Sequence, residues 1–409
     1  MKRSDYLTPL DARDPAFIEN PYPFFERVLA AGPIHRDSMG IWYVMQHADC
    51  RALLTDRQRI SRDDRNWSLY DKVRPAIAGS TLERTVQQWM LQLDPPAHTR
   101  LRGLVNKAFT PAAVAAMRGQ IETTAATLIA GLKGRSRFDL MAGLAEPLPV
   151  RVICDMLGLP PDDYASTKRW SDLLVWVLEP SAPWARRQEA DRACTEMLAY
   201  LRGQLAHARA LRRDDLLGHL IAAHEDADRL SEDELLANIV LLFLAGHETT
   251  TNLIGNGLLA LLRHPDQLAR LRADPSLMDS AIDELLRFDG PVTLAPRVAA
   301  QPITIGDQTM MPGDLMQLVL GAAHRDPAAF ADPGRLDLAR APNHHLAFGA
   351  GLHYCLGAPL ARLEASVALQ ALLDAFPALA VAEGGVCWRR ITSLRGCERL
   401  ELEALNGTA

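Results

Sequence analysis

Phe348-Gly349-Ala350-Gly351-Leu352-His353-Tyr354-Cys355-Leu356-Gly357 sets one cysteine in a loop punctuated by glycines. An apolar stretch of helical character, 358–376, follows at once. A lone thiolate at the mouth of a helix is a strong soft ligand. The glycines let backbone N–H groups turn toward the sulfur, a turn that Cβ atoms would resist. The bland alternative is a structural cysteine in a Gly-rich turn, since free Cys usually behaves as a small hydrophobe. What lies upstream decides between them.

Upstream, Ser231 and Glu234 form a capping box at the head of the longest helical pattern, 232–263. This pattern is apolar nearly all round and so predicts a buried central helix, roughly 50 Å long at 1.5 Å per residue. Within it lies Ala245-Gly246-His247-Glu248-Thr249-Thr250. Small residues at 245 and 246 admit a flat group close to the backbone, and a threonine hydroxyl bonded to the carbonyl of Ala245 would bend the helix. Glu248 and Thr249 make an acid and hydroxyl pair suited to relaying protons. A second pair, Glu284 and Arg287, sits three apart on a helix ended by Gly290-Pro291. On a surface such a pair contributes only about 0.3–0.5 kcal/mol. Further upstream, Asp94-Pro-Pro-Ala-His98-Thr-Arg-Leu-Arg102 places His98 and Arg102 on one helix face.

The remaining pattern is helical almost throughout from residue 97, with helices near 97–109, 111–132, 141–157, 161–177, 185–210, 214–224, 265–272 and 277–288. Strand and turn character is confined to 41–45, 292–298, 302–311 and the tail from 386 to 402. Residues 61–86 read as a long polar loop. The expected fold is mainly α with minor β, one domain spanning 1–409. Hydrophobic residues at 48% suffice for a large core, and a net charge of −6 without a dense basic block gives nucleic acid no footing. The six cysteines carry no CxxC pair, which argues against a zinc site or disulfide framework and for a reducing cytosol. Met1-Lys-Arg-Ser-Asp-Tyr6 has no apolar core, so neither signal nor anchor is expected. The run 235–245 is too short to cross a bilayer. A cytoplasmic protein follows.

Phe348, Gly349, Gly351, His353, Cys355 and Gly357 match the cysteine-ligand signature of the cytochrome P-450 family, the haem-thiolate monooxygenases, and the chain resembles that family over essentially its whole length. The resemblance implies the P-450 fold, with haem b held between the long central helix and the cysteine loop. It implies Cys355 as iron ligand, with Ala245, Phe348 and Gly349 beside the haem and His98, Arg102, Arg297 and His353 at its propionates. Segment 245–250 resembles the family's oxygen-binding motif, which more often has Asp where this chain has Glu248. Glu284 and Arg287 correspond to a buried pair joined by a later arginine, for which Arg335 is the candidate. That trio would support the cysteine loop from behind.

The implied reaction inserts one oxygen atom from O2 into a hydrophobic small molecule, by hydroxylation or epoxidation of a secondary metabolite such as a polyketide or terpenoid. Leu241, Leu244, Val292, Thr293, Ala295 and Leu394 would line its pocket. No GxGxxG after a strand and no cysteine cluster is visible, so electrons must come from separate partners. A ferredoxin fed by an NAD(P)H-dependent reductase is expected, docking near Arg100, Lys107 and Arg362 on a monomer. Oxidative coupling or ring formation would look the same in sequence. A peroxide-driven peroxygenase would not need the acid and hydroxyl pair, and neither would a non-enzymatic haem sensor.

Overall fold

The structure, a computed structural model, describes residues 14–73, 78–179, 182–211, 216–225 and 230–405. The N-terminal hexapeptide and residues 214–215 of an expected helix lie outside them. Of the described residues 59% are helical, so the mainly α expectation holds. Helices Trp184–Leu211, Glu232–Arg263, Met278–Asp289 and Ala358–Ala375 fall within a residue or so of the patterns that predict them. Among the described residues no helix is long and apolar enough to cross a membrane.

Two compact units emerge. One takes the described residues of 1–60, 117–148 and 249–409, the other those of 61–116 and 149–248. The division falls inside the central helix, between Glu248 and Thr249.

The strands are β1 (Ile34–Arg36), β2 (Trp42–Val44), β3 (Ile60–Ser61), β4 (Arg137–Asp139), β5 (Leu294–Ala299), β6 (Ile303–Ile305), β7 (Gln308–Met310), β8 (Leu315–Val319), β9 (Leu379–Trp388) and β10 (Cys397–Ala404). They form a five-stranded sheet ordered β1-β2-β8-β5-β3, a three-stranded sheet β4-β10-β9, and the hairpin β6-β7. Strand β8 escapes the sequence reading because it is buried at every position, and a short continuous apolar run lacks the alternation that marks a half-buried strand. It pairs parallel with β2 and antiparallel with β5, setting Arg297 opposite Met316. Phe17, Phe24, Phe25 and Val28 of the first two helices, Pro15–Glu19 and Tyr22–Ala31, pack together with Val319 of this sheet. Phe17 meets Phe25 edge to face at 5.7 Å, a geometry worth about 0.5–1.5 kcal/mol beyond area burial.

In the other unit, the expected long loop 61–86 is replaced in its described part by short helical turns at Asp64–Asn66, Tyr70–Val73 and Thr81–Val86. Polar composition hid them because buried side-chain bonds hold them. Tyr70 donates to Glu83 Oε1 at 3.1 Å, and Leu82 N–H donates to Asp191 Oδ1 at 2.8 Å. Asn238, the polar interruption in the central helix, has a similar role. Its Oδ1 accepts Met90 N–H at 2.9 Å and its Nδ2 donates to Gln88 O at 3.0 Å. The capping box forms as read: Glu234 N–H donates to Ser231 Oγ at 3.1 Å, and Ser231 N–H to Glu234 Oε2 at 2.9 Å.

Candidate active site

Cys355 is half-buried at the end of a tight loop, its N–H donating to Phe348 O at 2.9 Å. Gly349 and Gly351 carry φ of +68° and +70°, a left-handed backbone that side chains resist. At Gly351 space forbids a side chain as well, since a Cβ would lie 2.5 Å from Leu54 O. Gly351→Ala is therefore expected to cost at least about 2 kcal/mol, from left-handed strain and overpacking. A lowered urea midpoint together with reduced cofactor content checks this; unchanged values for both would contradict it. Behind the loop, the Arg362 guanidinium lies 4.5 Å from the Phe348 ring centroid and donates to Asp283 Oδ1 at 2.8 Å. His345 Nε2 is 3.2 Å from the same oxygen. Burial would raise the Asp283 carboxyl, but His345 and Arg362 outweigh it and hold it below the usual range.

The other cysteines are poor rivals. Cys50, Cys154, Cys194 and Cys397 are buried. Burial pushes up all four thiols, to about 12 for Cys154 and Cys397 and about 11 for Cys194, so they stay protonated. Cys387 lies exposed on strand β9.

The support cluster needs one correction. Glu284 and Arg287 are fully buried and paired, with Arg287 Nε and Nη2 each 2.7 Å from a carboxylate oxygen. The second guanidinium on Glu284 belongs to Arg340, whose Nε is 3.1 Å from both oxygens, not to Arg335. Arg335 is exposed and gives only its carbonyl, which accepts from Arg287 Nη2 and Arg340 Nη2 at 3.1 Å. Asn343 Nδ2 and Asp337 N–H complete the carboxylate's shell at 3.2 and 3.0 Å.

On the central helix every residue from Leu235 to Leu261 is buried except Ala245, Gly246 and Thr249. Spaced at i, i+1 and i+4, these three open one stretch of an otherwise covered helix. Next to them Glu248 is buried, with Oε1 3.4 Å from Nε2 of the buried His247. The His247 ring is fixed by Nδ1 at 2.7 Å from Phe243 O. Leu241 and Leu244 precede this window on the same helix, both buried.

Of the expected cationic groups, His98 is buried and Arg102 half-buried on helix Ala97–Val105. Burial, then the Arg102 charge, hold His98 below its ordinary pKa, so Arg102 carries the positive charge of that pair at neutral pH. Arg297 is buried on β5, and its Nη1 donates to Pro296 O at 2.7 Å. His353 is half-buried in the turn Gly351–His353. Val292 and Leu394 are brought together by an isolated antiparallel bridge, and Thr293 donates its hydroxyl to Thr392 O. The Thr293 hydroxyl is therefore committed to a backbone carbonyl. Ala295 is half-buried and in register with Leu318. Of the three basic residues expected to receive a redox partner, Arg100 pairs with Glu234 and Arg362 with Asp283, while the side chain of Lys107 lies outside those described.

These residues fit a haem. Among the described residues no group of three or more His, Cys, Asp or Glu is placed to hold a bare metal ion. A single half-buried thiolate instead suits a metal whose equatorial positions a macrocycle fills. The uncovered Ala245 and Gly246 present the small, flat surface that such a ring can lie against.

Comparison with known proteins agrees. Residues 180–387 match the family model described as Cytochrome P450. Cytochrome P450 monooxygenase PikC of Streptomyces venezuelae is 40% identical over 96% of this chain and 92% of its own length. Polyketide biosynthesis cytochrome P450 PksS of Bacillus subtilis is 37% identical over 94% and 96%. The solved structure of CxnD, a cytochrome P450 enzyme for C–S bond formation in chuangxinmycin biosynthesis, superposes with a TM-score of 0.86 at 35% identity, covering 94% of this chain and 95% of that one. The chain is a cytochrome P450 monooxygenase and belongs to the cytochrome P450 family.

Proposed function

We propose that this enzyme hydroxylates or epoxidises a hydrophobic secondary metabolite of polyketide or terpenoid type. Cys355, half-buried in its glycine loop, is the observation that carries the reading. The cofactor would be haem b, for which Cys355 would supply the iron ligand, Ala245, Phe348 and Gly349 would flank the ring, and Arg102, Arg297, His98 and His353 would take the propionates. When bound, haem supplies the iron at which O2 is taken up and cleaved, helped by the electron push of a thiolate. Glu248, buried beside His247, holds a proton and passes it toward the Thr249 hydroxyl. Thr249 delivers it at the window opened by Ala245 and Gly246. Val292, Thr293, Ala295 and Leu394 form a wall that excludes water and orients the substrate, and Leu241 and Leu244 of the central helix are assigned to substrate contact as well. The whole chain acts as one cytoplasmic, monomeric P-450 domain, reduced by a ferredoxin and its NAD(P)H-dependent reductase.

PksS, named for polyketide biosynthesis, supports the substrate class. CxnD supports a second reading, oxidative coupling, in which the same residues serve bond formation without oxygen insertion. A spectral screen of a metabolite library for low-to-high-spin shifts tests the substrate class, and mass analysis of the product under labelled O2 separates the two readings. Hits confined to polar metabolites would overturn the first.

The relay has its own test. Glu248→Gln is expected to slow product formation by about 10²–10⁴-fold. Thr249→Ala should keep consuming reductant while releasing peroxide in place of product. Tight coupling of reductant to product in Thr249→Ala would remove this hydroxyl from the relay.

A further inference from the structure

We propose that Arg395 is a positioning residue for the substrate wall, and that through it the N-terminal segment 18–22 becomes a remote determinant of substrate selectivity. The inference rests on the reading of Val292–Ala295 and Thr392–Leu394 as pocket wall. Those two segments behave as one piece. Val292 bridges Leu394, Thr293 N–H donates to Ser393 O at 3.2 Å, and the Thr293 hydroxyl donates to Thr392 O. Arg395 follows directly and is buried.

Its bonds run to neighbours that frame the wall. Arg395 Nε donates to Asp289 Oδ1 at 2.6 Å, Nη1 to Ile18 O at 2.7 Å and Nη2 to Glu19 O at 3.0 Å. Its backbone N–H donates to Pro291 O at 2.7 Å, and its carbonyl accepts from Asn256 Nδ2 of the central helix at 3.0 Å. The guanidinium carbon lies 3.8 Å from the Trp388 ring centroid. Tyr22 shares the anchor, its hydroxyl donating to Asp289 Oδ1 at 2.6 Å. One planar fork thus ties the end of the first helix, the end of helix Met278–Asp289 and the last turn of the wall, while its backbone reaches the central helix.

Next door, Gly396 sits so close to that helix that a Cβ would lie 1.9 Å from Asn252 Oδ1, so the loop has no freedom on that side. On the other side it does. A partly open pocket of about 20 Å³, roughly the room of one water, borders Phe17, Ile18, Thr293, Thr392 and Arg395, slack that lets side chains there readjust once the fork is lost. Lysine keeps the charge but cannot hold three separate acceptors in one plane. The carbonyls of Ile18 and Glu19 close a helix and can turn to water, so the fold survives the exchange.

The test titrates holoenzyme with two probes, imidazole and 4-phenylimidazole. Both are iron-coordinating bases, and 4-phenylimidazole adds the apolar ring on which the wall would act. Arg395→Lys should leave the reduced-CO band and imidazole affinity unchanged, while the preference for 4-phenylimidazole changes by about tenfold, the scale of one misplaced apolar contact. Tyr22→Phe should shift that preference in the same direction by less, and it keeps the proposal testable should Arg395→Lys fold poorly. Leu394→Ala serves as the control for the wall itself. A changed preference in Leu394→Ala with none in Arg395→Lys and Tyr22→Phe overturns the role of Arg395. An unchanged preference in Leu394→Ala overturns the wall reading, and the proposal with it.

Discussion

Cys355→Ala is expected to abolish the thiolate-ligated haem spectrum and all oxygen insertion, while the apoprotein keeps its helical content. The residue is half-buried, its backbone N–H bond to Phe348 O does not depend on the side chain, and truncation to Cβ at a half-buried position leaves no large void. Circular dichroism should therefore stay near wild type. No other thiol can replace it. Cys50, Cys154, Cys194 and Cys397 are buried and held protonated, and Cys387 lies exposed on strand β9. A variant that retained the wild-type reduced-CO band would place the ligand elsewhere.

Arg287→Met carries the largest expected loss of stability. Both Arg287 and Glu284 are wholly buried, and Arg287 also donates from Nη1 to His324 O at 3.0 Å and Pro333 O at 2.8 Å. Removing one partner of a buried pair leaves an uncompensated charge and costs about 3–5 kcal/mol. Arg340 softens this by staying on the carboxylate, so the lower end of that range is expected. Arg335→Ala should cost under about 0.5 kcal/mol, because only its backbone carbonyl takes part. Urea denaturation of Arg287→Met, Arg340→Ala and Arg335→Ala decides the matter. Equal losses for the two latter variants would contradict the placement of Arg340 on Glu284.

The difference between Arg335 and Arg340 marks where sequence reasoning runs out. Glu284 and Arg287 lie on a helix, whose period puts them on one face. The later arginines lie in irregular chain, where no period says which guanidinium turns inward. The central helix was legible to the residue at its start because Ser231 and Glu234 announce it chemically. The glycines at 349 and 351 were legible for a related reason: a left-handed backbone has few other occupants. Arg395 left no signal, since its acceptors are backbone carbonyls some 375 positions away in sequence, at Ile18 and Glu19. Strand β8 and the short helices of 61–86 were hidden by burial on both faces and by polar composition, respectively.

Iron K-edge X-ray absorption on the purified, substrate-free enzyme tests the central claim most directly. One sulfur scatterer beside the porphyrin nitrogens, lost in Cys355→Ala, is the predicted result. A first shell of nitrogen and oxygen alone would contradict it.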